Sequence, residues 1–226
     1  MNKFYVIKPI GGIMFGTKWA YAEKIKPYNI GSVQKCPVCE GAVSLMKWLP
    51  PYKIKLSSAK PSKWGDFLWG ATSSLLVSSK FKYIYNQEGL TGIEEFSEQV
   101  EIVRMGTLKS GEFPTSPPIY HLIQVPWGGA NQDDAASGLT HERPEEIKCS
   151  YCRNDFTWRK QERIVIEEDT WNGSDIFIAR NSPAMFMVSE RFKKISEKYQ
   201  LTNVWFIPAE KYAYDDRRTG LWYVNE

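Results

Sequence analysis

The pattern of apolar and polar positions predicts two amphipathic helices. Apolar side chains recur at the three- and four-residue spacing of one helix face at two places, Phe81 with Ile84 and Phe192 with Ile195 and Tyr199. A serine, Ser78 or Ser189, precedes each stripe, and serine is a preferred N-cap residue. We expect helices over about 79–88 and 190–199, with both stripes in the hydrophobic core.

Short runs of alternating or β-branched residues predict strands around these helices. They cover residues 3–10, 52–56, 100–103, 119–125, 204–207 and 221–224. The segment Trp48-Leu-Pro-Pro-Tyr52 is predicted as a rigid turn, because paired prolines cannot join the interior of a sheet. The segment 127–138 is rich in glycine and has no apolar period, so we expect a long surface loop there.

The two helix regions are similar in sequence at a constant offset of 111 residues. The identical positions are Val77, Ser78, Phe81, Lys82, Ile84, Leu90 and Thr91, which match Val188, Ser189, Phe192, Lys193, Ile195, Leu201 and Thr202. Gly92 matches Asn203, and both residue types tolerate the left-handed backbone of a turn. This similarity predicts an internal duplication.

The duplication predicts an α+β fold of two similar halves, each a small sheet carrying one main helix, related by an approximate two-fold axis. The first half would span residues 1–104 and the second half residues 148–226. Residues 105–147, which are rich in proline, glycine and acids, would connect the halves and carry one strand. At 226 residues, the three segments can form one compact unit.

All four cysteines fall in two C-x-x-C pairs, Lys35-Cys-Pro-Val-Cys39 and Lys148-Cys-Ser-Tyr-Cys152. Two such pairs supply the four thiolates that tetrahedral Zn²⁺ accepts. We therefore expect a structural zinc ion, with the ligands Cys36, Cys39, Cys149 and Cys152. A shared ion would join the two halves in the manner of a zinc ribbon. The alternatives are two disulfides, one redox-active pair with an idle partner, or two unrelated knuckles.

The net charge of +3 hides an uneven distribution. Residues 1–63 contain eleven lysines against Glu23 and Glu40, a net of +9, so the remaining residues carry −6. A lysine-rich segment can bind nucleic acid or an acidic partner. This segment contains no arginine, the residue that most often reads bases.

A second charged segment, residues 131–147, contains five acids against a single arginine. It lies outside the repeated regions, and recognition commonly resides on loops that a rigid frame supports. We expect Asp133, Asp134 and Glu142 to contact a protein partner there. A disordered tether between the two halves is the alternative.

The composition, 42% hydrophobic and 24% charged, is typical of a soluble globular protein and excludes a disordered one. The longest uncharged apolar run covers residues 67–79, too short for the ~20 residues that span a bilayer. The amino terminus resembles a signal peptide, but Lys8, Pro9 and two glycines interrupt its apolar stretch. We expect no membrane association and a reducing, cytoplasmic location, which agrees with cysteines kept for metal.

Catalytic motifs are missing from the sequence. It has no nucleotide-binding glycine loop, no H-E-x-x-H and no G-x-S-x-G. Of the two histidines, His121 lies in a strand-like run and is expected to be packed, and His141 lies in the acidic segment. A cysteine paired with His141, or Asp66 paired with Asp175, would be the alternative catalytic sets. We expect metal ligation for the cysteines, turn capping within its own repeat for each aspartate, and no enzyme activity.

Several sequence blocks occur in the order found in a known family. The first cysteine pair is followed by Trp48-Leu-Pro50 and Gly65-Asp-Phe67, and the second by Asp175-Ile-Phe177, Met187-Val-Ser-Glu-Arg-Phe-Lys193 and Leu201-Thr-Asn-Val-Trp-Phe206. Over roughly residues 35–210, the chain resembles the double-CXXCG immunity proteins of bacterial polymorphic toxin systems. The motifs' glycines are replaced by Glu40 and by Arg153-Asn154, of which Asn154 can partly substitute in the turn.

This resemblance implies a cytoplasmic protein without catalytic activity that binds and neutralises a cognate toxin encoded beside it. The competing class is a zinc-ribbon protein that binds nucleic acid, which the two cysteine pairs and the lysine-rich segment favour. A metal-dependent or cysteine enzyme is the third class. Salt-dependent retention on DNA or RNA separates the first two classes.

Overall fold

The computed structural model of the chain describes residues 2–11, 18–71, 74–147, 149–153, 158–182, 185–218 and 222–225. These residues form two α-helices, α1 Ser79–Gln87 and α2 Glu190–Lys198. The strands are β1 Phe4–Lys8, β2 Ala22–Lys24, β3 Asn29–Ile30, β4 Trp48–Leu49, β5 Lys53–Leu56, β6 Phe67–Leu68, β7 Leu75–Ser78, β8 Glu95–Gln99, β9 Glu101–Met105, β10 Tyr120–Gln124, β11 Trp127–Gln132, β12 Thr140–His141, β13 Trp158–Gln161, β14 Ile166–Glu167, β15 Ile176–Arg180, β16 Met187–Ser189, β17 Trp205–Pro208, β18 Tyr212–Asp215 and β19 Trp222–Val224. Single 3₁₀ turns lie at Pro61–Lys63, Pro144–Glu146, Glu168–Thr170 and Ala209–Lys211.

Both predicted helices are confirmed, and both begin at the predicted serine. Ser78 Oγ accepts a hydrogen bond from the Phe81 N–H, and Ser189 Oγ accepts one from the Phe192 N–H, each at 3.1 Å. These bonds satisfy one of the donors that every helix N-terminus leaves unpaired. Neither described helix is long and apolar enough to cross a membrane.

The strands form small mixed sheets. The strand orders are β14-β11-β15-β16-β1-β17, β6-β7-β10-β8, β12-β13-β18-β19, β2-β5-β9 and β3-β4. The predicted strands are confirmed as β1, β5, β9, β10, β17 and β19. The architecture is therefore an arrangement of small sheets with few helices. The sheet that contains β7 and the sheet that contains β16 differ in strand number and order, so two matching whole halves are not evident.

The predicted surface loop at 127–138 is wrong in its first half, which is the strand β11. This strand pairs with β15 in parallel and with β14 antiparallel inside the six-stranded sheet. The glycines that suggested a loop serve close packing instead, since a Cβ on Gly129 would lie 2.6 Å from the Cβ of Phe177. Only a glycine admits the neighbouring strand at that distance.

The six-stranded sheet takes strands from all three predicted segments. Its strand β1 pairs with β16 and β17 near the other end of the chain, with Tyr5 opposite Val188 and Val6 opposite Ile207. Its strand β11 comes from the predicted connection. The predicted boundaries at 104/105 and 147/148 therefore do not separate the sheets.

The helices pack on one shared core between the sheets. The rings of Phe81 and Phe192, one from each helix, lie 5.9 Å apart, and Phe67 packs 5.0 Å from Phe81. All three rings are fully buried. Burial of this much aromatic surface stabilises the contact between the two helix regions.

Two buried aspartates connect the helix regions crosswise. Asp66 Oδ2 accepts hydrogen bonds from the N–H and the hydroxyl of Thr202, both at 2.9 Å. Asp175 Oδ2 accepts the same two bonds from Thr91, at 3.1 and 3.3 Å. Each aspartate was expected to cap a turn of its own region, but each caps the turn of the other. Each aspartate also has the expected contact within its own region, through the capping serine. The hydroxyls of Ser78 and Ser189 donate to Asp66 and Asp175, respectively, at 2.8 Å.

The turns that receive these aspartates need the left-handed backbone predicted for them. Gly92 has φ +105°, and a Cβ there would lie 1.8 Å from the carbonyl oxygen of Ile176. Its counterpart Asn203 has φ +59°, and its Nδ2 donates to the carbonyl oxygen of Phe67 at 2.7 Å. Glycine and asparagine thus solve the same close approach differently, one by having no side chain and the other by hydrogen bonding.

Candidate metal centre

The four cysteine sulfurs form one cluster. Their Sγ atoms lie within 4.8 Å of one another, with Cys36 to Cys149 at 3.9 Å and Cys39 to Cys152 at 3.7 Å. These separations are too long for disulfides, in which the sulfurs lie about 2.05 Å apart, and all four cysteines are free. A tetrahedron with metal–sulfur bonds of ~2.3 Å has edges of ~3.8 Å, which matches the Cys36–Cys149 and Cys39–Cys152 separations. The cluster could therefore hold a metal ion, and a single cluster does not fit two unrelated knuckles.

The first pair lies at the tip of a two-stranded ribbon. Lys35 and Ala42 form a bridge across the ribbon, and the Cys36 N–H donates to the carbonyl of Gly41 at 2.8 Å. The Glu40 N–H donates to the carbonyl of Cys36 at 2.9 Å and closes the turn. The Val38 N–H donates to the Cys36 Sγ at 3.5 Å.

The second pair repeats this turn. The Arg153 N–H donates to the carbonyl of Cys149 at 2.9 Å, as Glu40 does to Cys36. Glu40 has φ +58° and Arg153 has φ +48°, so each occupies the left-handed position directly after its second cysteine. The expected substitute, Asn154, lies outside the described residues. At both sites a long side chain holds a backbone conformation that suits glycine.

The surroundings favour the thiolate at Cys149 but not at Cys39, where the N–H of Gly41 is outweighed by burial and the neighbouring thiols, which raise the thiol pKa. The N–H of Cys152, aided by that of Tyr151 and opposed by burial, lowers the pKa of the Cys149 thiol to about 7. Thiolates are the form that binds metals. Val43, Trp127 and Ile178 pack against Cys36, Cys149 and Cys152, whereas Cys39 is exposed.

Arg153, noted in the sequence only as a replacement for the motif glycine, fixes the second turn to the six-stranded sheet. Arg153 Nη1 lies 3.5 Å from the carboxylate of Asp134 and 3.9 Å from that of Glu167, and its Nη2 donates to the carbonyl of Gln132. In the sequence, the only indication of this role was an arginine next to a cysteine ligand, in a chain whose acidic residues had no assigned ion-pair partners. These contacts explain why glycine is not needed at this position, since the side chain offsets part of the backbone strain.

Of the three acids predicted to contact a partner, Asp133 and Asp134 directly follow β11, and Glu142 directly follows β12. Asp133 Oδ1 accepts a hydrogen bond from the Ala136 N–H at 2.9 Å. Asp134 accepts one from Asn181 Nδ2 at 2.7 Å, and burial raises the pKa of its carboxyl. Glu142 is exposed. The carboxylates of Asp133 and Asp134 are therefore used inside the protein, which leaves Glu142 as the most accessible of the three.

Neither histidine is a member of the sulfur cluster. His121 belongs to β10, where Nε2 lies 3.2 Å from Ser79 Oγ and Nδ1 lies 2.9 Å from the carbonyl oxygen of Ser97. The expected packed histidine is thus confirmed. His141 belongs to β12, and the cluster of metal-type side chains among the described residues contains cysteines alone.

Replacing Glu40 by glycine should raise the free energy of unfolding by about 1 kcal/mol, because glycine adopts this φ without strain. Glu40→Ala is the matched control, since it removes the same side chain but keeps the strain. Urea unfolding at fixed metal content measures both variants. An equal effect of the two substitutions would show that the side chain, and not the backbone, matters.

Comparison with known proteins gives no information on the chemistry of the site, which is therefore inferred from its geometry. The chain matches no protein-family model and no curated protein. Four clustered thiols with left-handed turns behind both pairs are suited to hold a metal that joins distant parts of the chain.

Proposed function

We propose that this chain is an immunity protein that binds a cognate bacterial toxin in the cytoplasm and neutralises it without catalysis. The observation that carries the proposal is the single cluster formed by two C-x-x-C motifs far apart in sequence. That cluster, together with the Ser-Glu-Arg-Phe block at the start of α2, is the pattern of the double-CXXCG immunity proteins. The binding function follows from this resemblance and from the lack of a catalytic motif in the sequence.

Zinc is the metal we propose for the cluster. Four thiolates without histidine or carboxylate form a closed structural site, and two of the sulfur separations match the edge of a zinc tetrahedron. Cys36 and Cys39 would hold the ion from the ribbon, and Cys149 and Cys152 from the second turn. Zinc would supply four bonds that staple these segments together.

We also propose that the chain arose by internal duplication of a strand–helix–turn unit. The supporting contacts are the two serine caps and the crossed bonds of Asp66 with Thr202 and of Asp175 with Thr91. Matching sequence positions make matching contacts in both regions. The sheets around the units differ, so the duplicated element would be the unit and the cysteine turn.

A zinc-ribbon protein that binds nucleic acid is the second candidate. It is favoured by the exposed lysines of the first 63 residues, among them Lys26, Lys35 and Lys47. Affinity for phosphates falls steeply with salt, so retention on DNA or RNA columns at low and high salt distinguishes the candidates. Strong retention at low salt that is lost at high salt would favour this class.

Co-expression tests the immunity function. Cells that carry the adjacent toxin gene should die without this protein and survive with it, and the purified pair should form a stoichiometric complex without turnover. An inactive toxin variant co-expressed with the protein is the control for expression load. Death of the cells despite a soluble, metal-loaded protein would refute the immunity function.

A further inference from the structure

Exposed apolar side chains are concentrated on one part of the chain, the ribbon of residues 29–49 that carries the first cysteine turn, here called the arm. Of twelve large apolar side chains exposed among the described residues, the arm holds five: Ile30, Val38, Leu45, Met46 and Leu49. The arm is less than a tenth of the sequence. Clusters of this kind on a soluble protein mark sites of interaction.

The arm is held at its base, at its tip and through Gln34, whose Oε1 accepts a hydrogen bond from the Trp127 N–H at 3.2 Å. At its base, β3 pairs with β4, and Ile30 lies opposite the buried Trp48. At its tip, Cys36 and Cys39 reach the sulfur cluster. Between these points the backbone bonds are local to the ribbon, such as the one from the Val43 N–H to the carbonyl of Gln34 at 2.9 Å.

An apolar cleft of about 110 Å³ separates the arm from β10 and β11. Leu45 and Met46 form its arm side, and Ile123, Val125 and Trp127 form the opposite side. The volume is somewhat smaller than the about 150 Å³ of a cavity that binds benzene, so one aliphatic side chain fits. Pockets that accept a single anchoring side chain are typical of the centre of protein interfaces.

The arm itself carries a net positive charge. Its two lysines, Lys35 and Lys47, are exposed, and neither amine makes an ion pair with a carboxylate among the described residues. Glu40 is the one acid in the sequence of the arm, while Glu94 lines the opposite wall and Glu95 accepts a hydrogen bond from Gln124 there. An acidic surface would complement the lysines of the arm.

We propose that the arm and its cleft bind an acidic face of a partner protein, which inserts one aliphatic side chain between Met46 and Trp127. The partner is the cognate toxin, so this proposal rests on the proposed function. Aliphatic side chains and the absence of arginine on the arm favour a protein over a nucleic acid, which would be read by stacking on aromatic rings and by arginine.

The test is the affinity of Met46→Asp for the purified toxin encoded beside this protein. The variant should weaken the complex by about 30-fold or more, because it places a charge at the central pocket. Tyr83→Asp on α1 is the matched control, since Tyr83 is equally available at 67% exposure against 56% for Met46. Both variants should keep the metal content and unfolding midpoint of the wild type. Replacing Lys35 and Lys47 by Glu should slow association about tenfold and weaken its dependence on salt.

The other outcomes each overturn the proposal in a recognisable way. Unchanged affinity of Met46→Asp with full protection by the wild type would refute the arm and leave the immunity function intact. Loss of binding by Glu142→Lys alone would place the contact at the acidic segment. If the protein forms concentration-dependent dimers that Met46→Asp abolishes, the cleft binds a second copy of the chain. If the protein is retained on RNA or DNA and the lysine variant is not, the arm binds a nucleic acid. A wild type that neither binds the toxin nor protects refutes both proposals.

Discussion

Cys149→Ser should destabilise the protein so strongly that it loses cooperative unfolding at physiological temperature. The cluster joins sulfurs 113 residues apart in sequence, from Cys36 to Cys149, and so links the arm to the six-stranded sheet through Arg153. The free energy of binding a structural zinc ion is part of the folding free energy, on the order of 10 kcal/mol in small zinc domains. A loss of even a third of that amount is comparable with the whole stability of a typical domain.

Metal analysis and thermal unfolding measure this effect together. Purified, reduced wild type should contain one zinc per chain, and a chelator should lower its unfolding temperature. Ser150→Ala is the matched control, because Ser150 is exposed in the same turn and its side chain lies outside the sulfur cluster. Wild-type protein that is free of metal yet unfolds at the same temperature, or that contains a disulfide within either pair, would contradict the structural role.

The parts of the fold that could be predicted from sequence obey local rules. Each helix has its stripe of core residues and its capping serine within a single short window, so its position needs no knowledge of the rest of the chain. The sulfur cluster is a distant contact, yet it was predictable because cysteine spacing encodes metal geometry directly. In both cases the type and the spacing of the residues are enough to predict the structure that they form.

The parts that could not be predicted depend on partners far away in sequence. Nothing in residues 4–8 indicates that β1 pairs with β16 and β17. The glycines of β11 indicated a loop because their packing reason, the approach of Phe177, lies about fifty residues downstream. The contacts of Asp134 with Asn181 and Arg153 could not be predicted either, because a local charge count does not reveal them.

The crossed aspartates show how similar local sequences can produce a non-local contact. Each turn offers an N–H and a threonine hydroxyl, and each aspartate accepts both from the opposite region. Because the two regions match, one favourable arrangement is used twice. The pair therefore ties folding of residues near 66–92 to folding of residues near 175–203.

Asp175→Ala should lower the free energy of unfolding by about 3 kcal/mol. The side chain is almost fully buried and accepts hydrogen bonds from Thr91 and Ser189, while Arg191 lies against it as its ion-pair partner. Hydrogen bonds to a charged group contribute about 1.5–3 kcal/mol each, and the donors left behind would be unsatisfied. Asp169→Ala is the control, because Asp169 is exposed and should change stability by less than about 0.5 kcal/mol.

A double-mutant cycle separates the crossed contact from general damage at this site. Thr91→Ala removes the hydroxyl that donates to Asp175, so the two substitutions together should cost about 1 kcal/mol less than the sum of the single changes. Asp66 with Thr202 should give a coupling of the same sign, since its geometry is equivalent. Strictly additive effects in urea unfolding would mean that the threonine hydroxyls add nothing to the crossed contact, which would then rest on the backbone N–H bonds to the aspartates.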